Sequence, residues 1–251
     1  MKAVQPYLSV VITNYNEEQN LLTGVLNQIV AYLQDQSYTF ELVLVDDGSR
    51  DNTLSLLHEF AKGKKNVRVI ANSHMGKAAG IISGALAATG KIVLFTDTDQ
   101  STPISEFSKF IPYYSENYSV VFGSRSKRAG APLFRQVLAF GMVFFRTLIL
   151  NLPYRDTQCG FKSFSSVAAQ RIFTTLKTVH PLKTIDYPTT NPGFDLEIFY
   201  LARKFGFKTK EVPVSWYYRE SKRVTFFKDA VNGIKELLLV RWRSLSNAYK
   251  I

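Results

Sequence analysis

The chain has 251 residues, 46% hydrophobic, 14% aromatic and 20% charged, enough to bury a core without a disulfide framework. Its single cysteine, Cys159, excludes an intramolecular disulfide and a cysteine-based zinc site, and it suits a reducing compartment. The net charge of +11 favours anionic partners, yet no paired Cys/His pattern or aromatic RNA-binding strand marks a nucleic-acid protein.

Met1–Tyr7 carries no long apolar stretch and leads straight into a strand, so no signal peptide is expected. No run of 18 apolar residues predicts a membrane span. Strands are expected at Leu8–Thr13, Glu41–Asp46, Val67–Ala71, Lys91–Asp97 and Ser119–Ser124. Most are continuous Val/Ile/Leu runs, as strands covered on both faces read. Helical patterns lie between them at about Glu17–Leu33, Asp51–Ala61, Lys77–Ala88 and Ile104–Glu116. This alternation predicts an α/β fold, a mostly parallel open sheet with helices on both faces.

The second half is less regular. A basic loop, Ser126–Pro132, precedes a long apolar helix, Leu133–Leu150. A polar loop at Tyr154–Lys162 and a short strand within Cys159–Ser165 follow, then a helix at Ser166–Leu176. His180–Pro192 holds three prolines and reads as a loop. Gly193–Phe205 reads as helix, Thr209–Tyr217 as strand and Phe226–Leu245 as helix. No repeat or linker divides the chain, which reads as one domain over 1–251 with two halves, 1–125 and 126–251.

Ligands of such sheets bind beyond the carboxyl ends of the strands, and polar residues cluster there. Asn14-Tyr15-Asn16-Glu17-Glu18 follows the first strand, Asp46-Asp47-Gly48-Ser49 the second, Asp97-Thr98-Asp99 the fourth and Gly123-Ser124-Arg125 the fifth. Asp97 and Asp99, two positions apart after a buried strand, project to the same side if the chain stays extended. Two such carboxylates suit a divalent cation, Mg²⁺ or Mn²⁺, that also grips phosphate oxygens; a turn capped by Asp is the plainer alternative. In Asp46-Asp47-Gly48-Ser49-Arg50-Asp51, helix capping by Ser49 or Asp51 accounts for part of the pattern, but not for two adjacent acids, either of which can bond a base or ribose. Asn72-Ser73-His74-Met75-Gly76-Lys77 lacks P-loop spacing. Lys77 near a helix start can still meet a diphosphate, and His74 reads as an ordinary loop histidine. The first strand does not lead into Gly-x-Gly-x-x-Gly, which excludes a dinucleotide oxidoreductase.

With these motifs in order, the chain resembles the inverting family 2 glycosyltransferases of the GT-A fold. Ser101-Thr102-Pro103, Arg155-Asp156-Thr157-Gln158-Cys159-Gly160-Phe161-Lys162, Phe194-Asp195-Leu196-Glu197 and Glu211-Val212-Pro213-Val214-Ser215-Trp216 narrow the likeness to the dolichyl-phosphate and prokaryotic polyprenyl-phosphate glycosyltransferases. The resemblance covers about Ser9 to Trp216. It implies a UDP-sugar donor (UDP-glucose) and a polyprenyl phosphate acceptor. It also implies nucleotide-sugar binding by Thr13, Tyr15, Glu17, Asp46, Asp47, Lys77 and Asp97, metal contact by Asp97 and Asp99, and acceptor-phosphate binding by Arg125 and Arg135. Two departures stand out: relatives carry a shorter Asn-x-Gly-Lys run before the lysine, and eukaryotic relatives carry an N-terminal membrane span.

A phosphate nucleophile is already anionic and needs no general base, whereas a sugar hydroxyl acceptor requires one, with Asp195 the first candidate and Asp156 the second. A nucleotidyltransferase would want a Gly-rich basic first loop in place of Tyr15-Asn16-Glu17-Glu18. A non-catalytic membrane-surface adaptor is the third alternative. On Leu133–Leu150, Arg135 and Arg146 lie eleven residues apart and share one face of an apolar helix. That pattern fits a helix lying in a membrane interface with its cations toward headgroups, or a core helix whose arginines line a cleft. Phe227, Val231, Ile234, Leu238, Trp242 and Leu245 repeat the theme on the last helix. The expected location is therefore peripheral, at the cytoplasmic face of a membrane.

Overall fold

A computed structural model describes residues 5–125, 133–180, 182, 184, 192–217 and 226–251, with the side chains of 133–139, 192 and 226–230 left aside. A seven-stranded sheet has the order β3-β2-β1-β4-β6-β5-β7. The strands are β1 (Leu8–Asn14), β2 (Phe40–Asp46), β3 (Val67–Ala71), β4 (Ile92–Asp97), β5 (Val120–Ser124), β6 (Lys162–Ser165) and β7 (Thr209–Pro213). β1, β2, β3 and β4 are parallel, and β5 and β7 pair in parallel. β6 lies antiparallel between β4 and β5. All five strands expected in the first half are present at their expected places.

Side-chain alternation sorts the sheet into two cores. Val10, Ile12, Leu42 and Leu44 pack to one side with Leu26, Ile29 and Leu33 of α2 (Val25–Gln34) and Leu57 of α3 (Thr53–Ala61). Val11, Val43 and Val45 pack to the other with Ile82 and Ala85 of α4 (Lys77–Ala87). That side continues to Phe173 of α7 (Ser166–Val179) and Phe199 of α8 (Pro192–Lys204). Each such aliphatic or aromatic side chain contributes about 1.5–3 kcal/mol when fully buried.

Three expected elements come out differently. The helix read across Glu17–Leu33 is split into α1 (Glu18–Leu22) and α2, because Gly24 adopts φ 76° and turns the chain between them. The helix read at Ile104–Glu116 is a 3₁₀ turn, Ile104–Lys109, followed by the short α5 (Ile111–Ser115). Pro112, with no N–H, cannot carry a helical ladder through this point. The strand read to Tyr217 ends at Pro213, level with Ser124, the last residue of its partner β5.

α6 (Leu133–Leu150) and α9 (Phe226–Leu245) form where expected and pack on each other, and α9 also packs on α8. Arg146 corrects the interfacial orientation of its face. It is turned inward, 7% exposed, and donates to Leu152 O at 3.3 Å, Thr157 Oγ1 at 3.2 Å and Tyr154 O. A cation next to a loop full of free carbonyls is held by them rather than by solvent, so Arg146 fastens α6 to the 152–157 loop. The outer face of α6 is left apolar, with Phe140, Phe144 and Leu148 exposed.

Candidate functional site

The carboxyl ends of β1, β2, β4 and β5 carry the polar clusters. Register sets Thr13 beside Asp97 and Asn14 beside Asp46. β6 runs the other way, so its beginning, not its end, lies at this edge. Lys162 pairs with Phe95 on one side and Phe122 on the other. The antiparallel strand thereby delivers the preceding loop, Tyr154–Phe161, onto the same edge.

A cavity of about 240 Å³ opens there, lined by Thr13, Lys77, Asp97, Gln158, Lys162 and Asp195 over an apolar floor that includes Val11 and Phe95. Lys77 Nζ lies 2.7 Å from Asp97 Oδ1. The Lys77 ammonium holds the Asp97 carboxyl below its usual range, with Lys162 and Arg125 adding to the effect, and Asp97 holds Lys77 up in turn. Gly160 backs Asp97 so closely that a Cβ at Gly160 would fall 2.1 Å from Asp97 Oδ2. A side chain at Gly160 would push that carboxylate out of its present place beside Lys77.

The other acids are anchored by backbone. Asp99 Oδ1 accepts from Ser101 N at 2.8 Å, and its Oδ2 from Ser101 Oγ at 2.9 Å. Asp46 Oδ2 accepts from the Gly48 and Ser49 amides, both at 3.1 Å, while its buried Oδ1 has no partner among the described residues. Asp47 takes Met75 N at 2.9 Å and Gly76 N at 2.7 Å, tying the β2 end to the loop that starts α4. His74 Nδ1 joins it at 3.1 Å, and the His74 ring stacks on Tyr15 with centroids 4.3 Å apart. Burial pushes the Glu17 carboxyl up; the charges of Asp99 and Asp97 add to this, while Asn20 Nδ2 at 2.5 Å opposes it.

At the end of β5 and the start of β6 the charges are paired side chain to side chain. Arg125 grips Asp156 in a fork, Nε to Oδ2 at 2.7 Å and Nη2 to Oδ1 at 2.9 Å, and its amide donates to Oδ2 at 3.0 Å. Burial opposes charge on Asp156, yet the Arg125 hydrogen bonds and cation hold its carboxyl below the usual range. Glu211 accepts from the amides of Arg155 and Asp156 and so fixes this loop to β7. Asp195, in the first turn of α8, meets the buried Lys162 ammonium at 2.8 Å. Lys162 also donates to Cys159 O at 2.5 Å. Cys159 itself is buried and its thiol is pushed up by that burial, as a packing residue's would be.

The structure thus gathers Thr13, Lys77, Asp97 and Asp195 around one cavity and sets Tyr15, Asp46 and Asp47 at the neighbouring strand ends. The Arg135 side chain lies outside the described residues. Lys162, Gln158 and Gly160 were not among the expected site residues. The signal for Lys162 was a charged residue opening the strand Lys162-Ser163-Phe164-Ser165. Among the described residues no three His, Cys, Asp or Glu side chains are grouped to hold a metal by themselves, and no helix is long and apolar enough to cross a membrane.

The family model described as "Glycosyl transferase family 2" matches residues 9–173. The chain belongs to this family. This glycosyltransferase is 30% identical over 264 residues to a dolichyl-phosphate β-glucosyltransferase of Dictyostelium discoideum, covering 98% of this chain and 77% of that one. It is 29% identical over 263 residues to the protein of the same name from Homo sapiens, covering 97% and 78%. Among solved structures, mannosyl-3-phosphoglycerate synthase from Rubrobacter xylanophilus superposes with a TM-score of 0.63 at 14% identity, over 98% of this chain and 76% of that one. The mannosyltransferase PcManGT from Pyrobaculum calidifontis, in complex with GDP-Man and Mn²⁺, gives 0.53 at 16% identity, over 98% and 74%. These likenesses establish the GT-A fold of the glycosyltransferase.

Proposed function

We propose that this glycosyltransferase moves glucose from UDP-glucose to the phosphate of a polyprenyl lipid of the dolichyl type, with inversion. The observation that carries the reading is the pairing of charge around one cavity, Lys77 with Asp97 and Lys162 with Asp195. Asp99, just beyond β4, is held by Ser101, while Lys162 and, at the end of β5, Arg125 hold carboxylates as exchangeable side-chain partners. The names of the relatives at about 30% identity support the acceptor class.

Residues 1–125 would serve the donor. Tyr15 and Asp47 would hold the nucleoside, helped by Thr13, Glu17 and Asp46, and Lys77 at the start of α4 would meet the diphosphate. Asp97 and Asp99 fit a divalent cation, because oxygen donors suit Mg²⁺ or Mn²⁺ and two carboxylates leave room for phosphate oxygens. The Mn²⁺ in the structural neighbour agrees with this choice. When bound, the ion would neutralise charge on the departing diphosphate.

Residues 126–251, together with Arg125 at the junction of the two halves, would serve the acceptor. Arg125, joined by Arg135, would exchange a carboxylate for the lipid phosphate, since the guanidinium fork matches both. A phosphate oxygen then forms the new bond to the anomeric carbon as the bond to the diphosphate breaks, and UDP leaves with that electron pair. Neither acid that could act as a base stands free: Asp156 is held by Arg125 and Asp195 by Lys162. This favours a phosphate nucleophile over a sugar hydroxyl. Phe140, Phe144 and Leu148 on α6, with Leu238, Trp242 and Leu245 on α9, expose the apolar surface with which the enzyme would rest on the cytoplasmic face of a membrane, near its lipid acceptor.

Transfer of radiolabelled glucose from UDP-glucose to a short polyprenyl phosphate, with Mg²⁺ or Mn²⁺, tests the reading. A labelled lipid that disappears with a chelator is the expected result. Intact UDP-glucose binding with no lipid product would move the acceptor to a hydroxyl and make Asp195 the base.

A further inference from the structure

The two groups proposed to hold the nucleoside are both engaged by one side chain of this chain. His74 lies nearly parallel to Tyr15, with an interplanar angle of 18° and centroids 4.3 Å apart. Its Nδ1 is 3.0 Å from Asp47 O and 3.1 Å from Asp47 Oδ2. Both neighbours are acceptors, so Nδ1 carries the proton and donates. A flat ring stacked on a tyrosine, with one ring N–H aimed at a carboxylate, is what a nucleobase bearing a ring N–H would present to the same two residues.

We infer that His74 occupies the nucleobase seat while no donor is bound, and that its release sets the affinity of the site for the nucleotide. The inference rests on the donor reading of Tyr15 and Asp47 given above. Two further observations support it. Asp47 Oδ2 already accepts both Gly76 N and His74 Nδ1, so a base that donates to this oxygen would replace His74 rather than join it. His74 Nε2 is buried without a partner among the described residues. That nitrogen offers nothing to an arriving ligand, and leaving it unsatisfied weakens the seated state. A base that stacks on Tyr15 and donates to Asp47 recovers what His74 gives up, while His74 gains water at Nε2.

Calorimetry of the full chain with UDP tests this, using inorganic diphosphate as a ligand that does not reach the seat. His74→Ala is expected to bind UDP about threefold to tenfold more tightly than the unaltered chain, with diphosphate binding unchanged. His74→Asn, which keeps a polar side chain but cannot cover Tyr15, is expected to fall between. In NMR spectra, His74, one of three histidines and identified by loss of its signal in His74→Ala, is expected to shift when UDP saturates the unaltered chain. Weaker UDP binding by His74→Ala would make the ring a wall of the base site and overturn the inference, as would unchanged binding with a static His74 signal. If the unaltered chain binds diphosphate but prefers no nucleotide, the assignment of Tyr15 and Asp47 to a nucleoside falls first, and this is visible without any variant.

Discussion

The parallel strand ends and the second half of the chain hold their charges by different means. Beyond β2 and β4, on the side proposed for the donor, Asp46, Asp47 and Asp99 each accept backbone amides from within a few residues or from the adjoining loop. On the side proposed for the acceptor, Arg125–Asp156 and Lys162–Asp195 join segments 31 and 33 residues apart, and Arg243–Glu197, between α9 and α8, joins segments 46 apart. An amide-bound carboxylate keeps its charge and its place whatever arrives. A side-chain pair can trade one anion for another, which is what a site must do to admit a phosphate and release it. The contrast also separates how each side fails: the donor side through chemistry, the acceptor side through assembly.

The largest effect is expected at Asp97, the acid that lines the cavity and pairs with Lys77. Asp97→Asn would keep the shape but release Lys77, and turnover should drop by about 10²- to 10³-fold, measured as labelled lipid formed per enzyme. Near-normal turnover would remove Asp97 from the reaction. Next is Glu197, 1% exposed on α8, which binds His180, Arg243 Nη1 at 2.6 Å and Tyr249 Oη at 2.8 Å. Glu197→Gln leaves the part-buried Arg243 short of its anionic partner and should cost about 3 kcal/mol, roughly 6–12 °C in Tm for a chain this long.

The pH dependence of that loss has a fixed sign. Burial raises the Glu197 carboxyl, but the His180 bond and the His180 and Arg243 charges outweigh it, so the folded pKa is depressed. The stabilisation is therefore present above the unfolded carboxylate pKa of about 4.3 and is lost as pH falls through the folded value. The Tm gap between the unaltered chain and Glu197→Gln should close below about pH 4; a constant gap would show that the charge does not matter.

A smaller effect sharpens the exchange idea. Arg125→Lys keeps the charge but loses the fork, and kcat/KM for the lipid phosphate should fall about tenfold with UDP binding unaltered. Equal losses for donor and acceptor would place Arg125 in general scaffolding. Smallest is Phe144→Ser with Leu148→Ser on the exposed face of α6. Stability should move within about 0.5 kcal/mol, while sedimentation with anionic phospholipid vesicles should weaken severalfold. Unchanged vesicle binding would assign the membrane contact elsewhere.

Much of the donor side could be read in the chain because its signals are local. Val/Ile/Leu runs marked the parallel strands, and strand ends followed by Asp46-Asp47-Gly48-Ser49 or Asp97-Thr98-Asp99 marked the ligand edge, since a strand buried on both faces leaves only its end for polar chemistry. Periodicity also located α6 and α9. It could not say which way Arg146 faces, because that depends on the carbonyls of the 152–157 loop.

By itself the sequence determined the α/β alternation, the acids at the strand ends and the family, each a matter of residues close together in the chain. Only the tertiary structure decided that β6 inserts antiparallel between β4 and β5, bringing Gly160 against Asp97 and Lys162 against Asp195. It also decided that His74, an unremarkable loop histidine in the sequence, lies on Tyr15. Strand direction and ring stacking are settled by contacts between segments dozens of residues apart, and those energies leave no pattern in the local order of residues.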